Sequence, residues 1–338
     1  MHSNKKRVKI AVIDSGYNQV EKNIRDHVVD NISFIDNNGV DENGHGTNCI
    51  DTILSSNHNV DIVSIKITNH LGLTKIELLN KALEYCINSS INILNISISC
   101  RNNEKKHRTE HLLKQLYDQN KIIISSVANN LDESYPASSK YVIGVAGIEL
   151  AFNKDLCLRN KNIYYFDNTP IFVHGTEKQK YNFFRGNSKA CAHCAGMLSL
   201  FIEDKNYIFE NITSYLKRIN IEFTTYKKEF RIYTDSIQKN DEKNLIDFDQ
   251  KIIKLVNTFI NNISDIEIDI KNNLNKLTFS TYTMINDFNF IEFINYMEDM
   301  LNIKISYHHI KIEKIFSIKL LLKFIENEVC QYEKKKII

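Results

Sequence analysis

The stretch VKIAVIDSG, residues 8–16, decides the fold of this chain. Residues 8–13 are almost all apolar, which is typical of a strand buried on both faces of a parallel sheet. Asp14 ends this apolar run, and open α/β sheets bind ligands at the carboxyl ends of their strands. The stretch therefore predicts an α/β fold, a doubly wound and mostly parallel sheet, with Asp14 at its functional edge.

Two later strings, NGHGT at 43–47 and GNSKACAHCAG at 186–196, supply His45 and Ser188. A serine hydroxyl attacks an acyl carbon only when an imidazole takes its proton, and a carboxylate must orient that imidazole. Alone, the three residues have ordinary explanations as a turn aspartate, a loop histidine and a helix N-cap. Together, in the order Asp14, His45, Ser188, they predict a catalytic triad.

Residues 7–223 resemble the subtilisin-like serine proteases, or subtilases, which have the triad in this chain order. Seven segments carry the resemblance in the family's order: 8–16, 43–47, 93–99, 126–129, 135–137, 142–146 and 186–196. The resemblance implies a serine endopeptidase that cleaves a peptide or protein substrate through an acyl-enzyme on Ser188. No cofactor and no metal is expected.

The resemblance also implies which residues bind the substrate. Asn129 falls where the family has the asparagine that donates to the oxyanion, and the adjacent Asn130 is the alternative. Ser97, Ile98 and Ser99 fall in the family's substrate-binding strand. Ser188 is expected just before a helix, where backbone N–H groups and the helix dipole favour the same oxyanion.

Four residues depart from the family pattern, and they are Ser99, Ala128, Lys189 and Ala192. Ser99 stands where the family usually has glycine in the substrate strand. Lys189 replaces an apolar residue directly after the expected nucleophile. These departures leave the chemistry in place, and they predict a narrow substrate range or slow turnover.

The cysteine count of seven is odd, and no signal-like apolar run follows the basic first residues. Both features favour reduced thiols and a cytoplasmic enzyme. The segment 191–194, CAHC, has two interpretations, a metal site or packing cysteines on a helix, and packing fits the predicted helix better. The net charge of +2 argues against a nucleic-acid partner, and the absence of a long apolar run argues against a membrane partner.

The last third of the chain has a different pattern. Apolar residues recur at helical spacing within 248–260, 291–303 and 318–325. Residues 246–333 resemble an acyl or peptidyl carrier protein, a small four-helix bundle, and an unrelated helical bundle is the alternative. Asp287 stands where carriers have the serine that takes phosphopantetheine, so the resemblance implies a module that carries no thioester. We expect a protease domain at 1–223, a connector at 224–245 and a bundle at 246–338.

A carrier-shaped module without its serine favours a docking role. Residues 246–333 would then hold the protease near a biosynthetic enzyme and raise the effective concentration of substrate. We therefore expect a dedicated processing protease that removes a leader or scaffold segment in a peptide natural-product pathway. The alternatives are a general intracellular protease with regulatory or defence roles, and a pseudoprotease that serves as an interaction scaffold.

Overall fold

The computed structural model describes most of the chain. The described residues are 7–99, 106–129, 134–148, 157–160, 163–174, 181–203, 209–221, 248–263, 269–274, 278, 284–285, 289–306, 310, 312–315 and 317–337. The predicted connector 224–245, Asn130 and Asp287 lie outside these residues.

The chain divides into two compact units. The first comprises Met1–Thr169, Val173–Lys180 and Phe184–Lys227. The second comprises Pro170–Phe172, Tyr181–Phe183 and Lys228–Ile338. The second unit therefore includes two short segments from the middle of the chain. The domain boundaries predicted from the sequence, at 223 and 246, did not include these segments in the second unit.

The first unit is built from alternating strands and helices, as the sequence predicts. Its strands are β1 Val8–Asp14, β2 Val28–Ser33, β3 Val60–Lys66, β4 Ile93–Ile96, β5 Ile122–Ser126, β6 Ile143–Ile148, β7 Cys157–Asn160, β8 Ile163–Asp167, β9 Ile171–His174, β10 Tyr181–Phe184 and β11 Asn220–Ile221, of which β9 and β10 are shared between the units. Its helices are α1 Lys22–Arg25, α2 His45–Ser56, α3 Ile76–Ile87, α4 Lys106–Asp118, α5 Asn187–Glu203 and α6 Phe209–Arg218.

Nine of these strands form one sheet in the order β11-β7-β8-β6-β5-β4-β1-β3-β2. Neighbouring strands are parallel from β8 to β2, and only the β7–β8 pair is antiparallel. The strand β1 lies well inside the sheet, between β3 and β4. That position explains why its sequence is apolar on both faces.

Helices cover both faces of the sheet, which makes the fold doubly wound. Ala11 and Ile13 of β1 belong to a core that joins the sheet to α3 and α4. Ile10 and Val12 are also buried, and successive side chains of a strand point to opposite faces. On the other face, α5 packs against α2 and contacts β4, β5, β6 and β8. Both helices that carry predicted catalytic residues therefore share one face.

The second unit is helical around an aromatic and aliphatic core. Its helices are α7 Gln250–Ile263, α8 Phe290–Leu301, α9 Ile312–Ile315 and α10 Ile318–Ile337, with a 3-10 turn at Ile270–Asn273. The three amphipathic patterns therefore correspond to α7, α8 and α10. Phe172 and Phe183 join this core, and the ring centroids of Phe183 and Phe290 lie 5.0 Å apart.

None of the described helices is both long and apolar enough to cross a membrane.

Candidate active site

Asp14 and His45 form a close, partly buried pair. Asp14 is the last residue of β1 and is 2% exposed, and His45 is the first residue of α2. The Nδ1 atom of His45 lies 2.8 Å from Oδ1 and 2.9 Å from Oδ2 of Asp14. Asp14 also accepts a hydrogen bond of 2.8 Å from the N–H of Ser15. The carboxylate therefore favours the proton on Nδ1, which leaves Nε2 as the acceptor of the neutral ring.

The start of α2 is fixed by a buried carboxylate four residues before His45. Asp41 accepts from the N–H of Gly44 at 2.7 Å through Oδ1 and from the N–H of Thr47 at 2.9 Å through Oδ2. The Thr47 hydroxyl also donates to Oδ2 at 2.6 Å. The first N–H groups of a helix have no partner within the helix, and a carboxylate both satisfies them and complements the dipole. Asp41 thereby holds His45 in a well-defined first turn.

Glycines let the end of β1 approach the start of α2. A Cβ atom at Gly46 would overlap the main chain of Gly16. Gly16 itself has a φ of +101°, a conformation that residues with side chains rarely adopt. The N–H of Gly46 donates to Oγ of Ser15 at 2.9 Å. These glycines explain why the acid and the base occur in glycine-flanked motifs.

The charge of Asp14 controls the protonation of His45. Burial by itself would lower the pKa of His45, but the Asp14 carboxylate outweighs burial and holds that pKa well above the ordinary value of 6.5. The ring also meets Phe184 edge to face, with centroids 5.6 Å apart. Two contacts of different kinds, one ionic and one aromatic, therefore orient the imidazole.

Cys49, one helical turn after His45, lies beneath the pair. Its Sγ atom is 3.9 Å from Oδ2 of Asp14, 4.0 Å from Nδ1 of His45 and 3.7 Å from Oγ of Ser97. In the described part of the chain, Asp14, His45 and Cys49 are the one group of three whose ligand atoms could hold a metal ion. Burial raises the pKa of Cys49, so the thiol form is favoured. Cys49 was not predicted as a neighbour of the pair, although its spacing of four from His45 places it on the same helical face.

Ser188 lies in the first turn of α5, which begins one residue earlier, at Asn187. Its side chain is half-buried. Cys191, three residues further along α5, interacts with the same Ser97 hydroxyl that Cys49 contacts. The second turns of α2 and α5 therefore meet at Ser97. Among the described residues, no direct hydrogen bond joins Ser188 to His45.

The turn before Ser188 is held by side-chain amides. The Asn187 amide accepts from the N–H of Gly147 at 2.8 Å and donates to the carbonyl of Val127 at 2.9 Å. Gly186 has a φ of +101°, and its N–H donates to Oδ1 of Asn168. Because Asn187 reaches β6 and the end of β5 together, the start of α5 is fixed to the sheet.

Asn129 lies beside this turn, on the exposed side. Its Oδ1 accepts from the N–H of Asn187 at 3.4 Å. The other end of the amide, Nδ2, is the donor. This contact brings Asn129 next to the residue that precedes Ser188, and its role as an oxyanion donor stays a prediction.

The predicted substrate segment lies beyond the end of a strand. The strand β4 ends at Ile96, so Ser97, Ile98 and Ser99 follow it instead of extending it. Ser97 and Ile98 are buried, and Ser99 is exposed. Ser99 is therefore the member of this segment that a substrate can reach.

The CAHC segment packs inside the first unit. Cys191 and Cys194 are buried on α5, and burial raises the pKa of each thiol well above its ordinary value. The ring of His193 points to α2, where its Nδ1 lies 3.1 Å from Oγ of Ser56. The helix places these residues in packing positions rather than around a common centre.

Comparisons with known proteins agree with this architecture. The model of the Subtilase family matches residues 5–222 of the chain. The Major intracellular serine protease of Bacillus subtilis (strain 168) is 23% identical over 222 residues, which cover 58% of this chain and 68% of that protein. The Intracellular serine protease of Paenibacillus polymyxa is 24% identical over 226 residues, which cover 60% of this chain and 69% of that protein.

A third relative matches over a smaller share of its own length. The Thermophilic serine proteinase of Bacillus sp. (strain AK1) is 22% identical over 209 residues, which cover 56% of this chain and 51% of that protein. The family match spans well over half of the chain and contains the Asp14–His45 pair and Ser188. The chain belongs to the subtilase family and is a serine endopeptidase.

Proposed function

We propose that the protein hydrolyses peptide bonds with Ser188 as nucleophile, His45 as general base and Asp14 as the carboxylate that orients His45. The hydrogen-bonded Asp14–His45 pair is the observation that carries this proposal. Ser188 attacks the scissile carbonyl, and its proton passes to Nε2 of His45. The imidazolium then gives that proton to the leaving amine, and water hydrolyses the acyl-enzyme by the same route.

Asn129 is the proposed side-chain donor to the oxyanion. Its Oδ1 is held by Asn187, which directs Nδ2 as the donating end of the amide. The N-terminus of α5 supplies backbone N–H groups close to Ser188. Donors fixed before the reaction stabilise the developing negative charge without reorganising.

The thiol of Cys191, three residues after Ser188 on α5, is the alternative nucleophile. Cys191 is buried, and its raised pKa favours the thiol over the thiolate. The thiolate is the nucleophilic form of cysteine. Ser188 is half-buried at the start of the helix, so it is the better candidate.

The experiment for this assignment is active-site labelling. A fluorophosphonate probe should label the parent enzyme, and Ser188→Ala should lose both labelling and peptidase activity. Cys191→Ala, as the matched control, should retain both. Labelling that persists in Ser188→Ala and disappears in Cys191→Ala would overturn the assignment.

We further propose that the enzyme acts inside the cell. Two relatives are named as intracellular serine proteases, and all five described cysteines of the first unit are free and buried. Free thiols are the usual state of cysteine in a reducing compartment. Fractionation of cells that express the full chain tests this location.

A dedicated processing role is the more specific proposal. Ser99 is exposed and follows the buried Ser97 and Ile98, so we expect its side chain to limit which substrate side chains bind at this segment. Lys189 does not contribute to that restriction, because its side chain is 2% exposed. Residues 246–338 of the second unit would dock a biosynthetic enzyme or its peptide.

Mass spectrometry distinguishes this role from general proteolysis. Peptides encoded near the gene should lose a leader or scaffold segment when the enzyme is added, and casein should be degraded slowly. Rapid degradation of casein at low enzyme concentration would favour the general intracellular protease. Absence of hydrolysis of any peptide by an enzyme that the fluorophosphonate labels would favour the scaffold.

A further inference from the structure

We propose that a buried ion pair between Lys189 and Asp167 positions the nucleophile. This inference rests on the proposed role of Ser188. Lys189 follows Ser188 directly in the first turn of α5 and is 2% exposed. Its Nζ donates to Oδ2 of Asp167 at 2.5 Å and to the main-chain oxygen of Asp167 at 2.9 Å.

The carboxylate is itself held at a fixed place in the sheet. Asp167 is the last residue of β8 and is fully buried. Its Oδ1 accepts from the N–H of Thr169 at 3.1 Å and from the Thr169 hydroxyl at 2.5 Å. Both carboxylate oxygens therefore have partners, and the main-chain oxygen of the same residue binds the ammonium group. Lys189 is tied to one point at the carboxyl end of β8.

The residue before Ser188 is tied from the other direction. The side chain of Asn187 joins Gly147 of β6 to Val127 after β5. Ser188 lies between these two attachments, so rotation of either neighbour in the chain would break a partly buried contact of Asn187 or a buried contact of Lys189. Fixed neighbours on both sides determine the direction in which the Ser188 side chain leaves the helix.

Stability does not by itself explain the ion pair. Two charges taken from water cost about as much as their attraction returns, and well-packed apolar residues serve equally well in such places. A pair at the first turn of the nucleophile helix has a second effect, which is geometric. A displacement of about 1 Å at a reacting atom costs about 10²-fold in rate. We therefore infer that Asp167 and Lys189 are positioning residues for Ser188.

The test compares turnover with stability in three variants. Lys189→Met and Asp167→Asn each remove one charge of the pair and leave the other charge buried, and both should lower the melting temperature. The double variant Asp167→Asn/Lys189→Met leaves no buried charge and should recover most of that loss. Its kcat per fluorophosphonate-titrated site should stay about 10-fold or more below that of the parent, with KM within about twofold.

Lys121→Met is the matched control. Lys121 is also a buried lysine, and its Nζ donates to the carbonyls of Ser89 and Ile91 at 2.6 Å and 3.1 Å. It precedes β5, at the edge of the sheet opposite to the carboxyl ends of the strands. Lys121→Met should lower the melting temperature and leave kcat per titrated site within about twofold.

Thr169→Val gives a variant that changes the fold least. It removes one donor to the buried Asp167 carboxylate, so the melting temperature should fall less than in either single charge variant, and a fall in kcat of about threefold is expected. The positioning role would be overturned if the double variant had the kcat of the parent. It would also be overturned if Lys121→Met lowered kcat as well as the melting temperature. Ser188→Ala separates the two proposals, because activity in that variant would instead overturn Ser188 as nucleophile.

Discussion

The helices α2 and α5 each begin with a candidate catalytic residue in the first turn, but the two starts are built differently. The start of α2 uses Asp41 and Thr47 to satisfy the free N–H groups, and glycines let it approach β1. The start of α5 uses the Asn187 amide and a buried lysine that reaches β8. The cap of α2 is local in sequence, whereas the contacts at the start of α5 join residues 22 to 60 positions apart.

This difference shows how one active site combines two kinds of support. A local cap fixes the His45 helix within a span of seven residues. Long-range contacts fix the Ser188 helix, so its geometry depends on the packing of the sheet. We expect substitutions at the start of α2 to act mainly through His45 and its pKa. Substitutions at the start of α5 should act mainly through the direction of the Ser188 side chain.

The largest expected effect at the first start is that of Asp14→Asn. The amide favours the wrong tautomer of His45 and removes the charge that stabilises the imidazolium, so kcat should fall about 10⁴-fold. The pH profile supplies a second measurement. The raised pKa of His45 means that the neutral base forms only above the ordinary value of 6.5, so kcat/KM should rise with pH through that higher pKa.

The residual activity of Asp14→Asn should shift in pH as well. Without the carboxylate, the remaining influence of burial lowers the pKa of His45, so the acid limb should move to lower pH. An acid limb at the same pH in the parent and in Asp14→Asn would mean that another group controls it. Asp51→Asn, on the same helix, is the control that should leave kcat within about twofold.

Asn129→Ala, at the start of α5, should give the next largest effect on kcat. Loss of one oxyanion donor costs about 10²–10³-fold in kcat, as in subtilisin, with little change in KM. Steady-state kinetics on a short peptide measure both constants. Asn69→Ala, in the loop after β3, changes the same residue type without touching the Ser188 turn. A change confined to KM would make Asn129 a substrate-positioning residue instead.

The sequence predicted the start of α2 better than the start of α5. The apolar run of β1 ends at Asp14, and the glycines around His45 mark the start of α2, so both residues were placed correctly from local pattern. The pairing of Lys189 with Asp167 was not predictable, because the two residues are 22 positions apart on different elements. Periodicity shows which face of an element is buried and does not show which partner it meets.

The strand and unit boundaries show the same limit. The resemblance placed 97–99 in the substrate-binding strand, but β4 ends at Ile96 and these three residues follow the strand. Phe172 and Phe183 were not expected to join the core of the second unit. Nothing in the local pattern of 170–183 indicates that partners such as Phe290 lie more than one hundred residues later.

Asp41→Ala should have a moderate effect at the first start. Loss of the carboxylate cap should cost about 1–2 kcal/mol in the free energy of unfolding. The freed first turn should also lower kcat about tenfold, because His45 is its first residue. Thermal denaturation and peptide kinetics check the two effects. Asp118→Ala removes an exposed ion pair with Lys114, so neither the free energy of unfolding nor kcat should change measurably.

The smallest expected effect concerns the second unit and its proposed docking role. Phe172 and Phe183 belong to the core of that unit, so deletion of 246–338 would expose both side chains and confuse folding with docking. Charge reversal avoids this problem, because Lys251 and Lys254 are exposed on α7 and lie three residues apart on one helical face.

Lys251→Glu/Lys254→Glu should therefore lower kcat/KM for the natural protein or peptide partner about 3- to 10-fold, since exposed charges act mainly on the rate of association. The same variant should cleave a short synthetic peptide at the parent rate. Lys22→Glu/Arg25→Glu, a matched double reversal on the exposed helix α1, should change neither rate. The effect on the partner should also weaken as salt is raised, because salt screens exposed charges. Equal losses of kcat/KM on the partner and on the short peptide would exclude docking through this face of α7. They would mean that the second unit stabilises the protease fold instead.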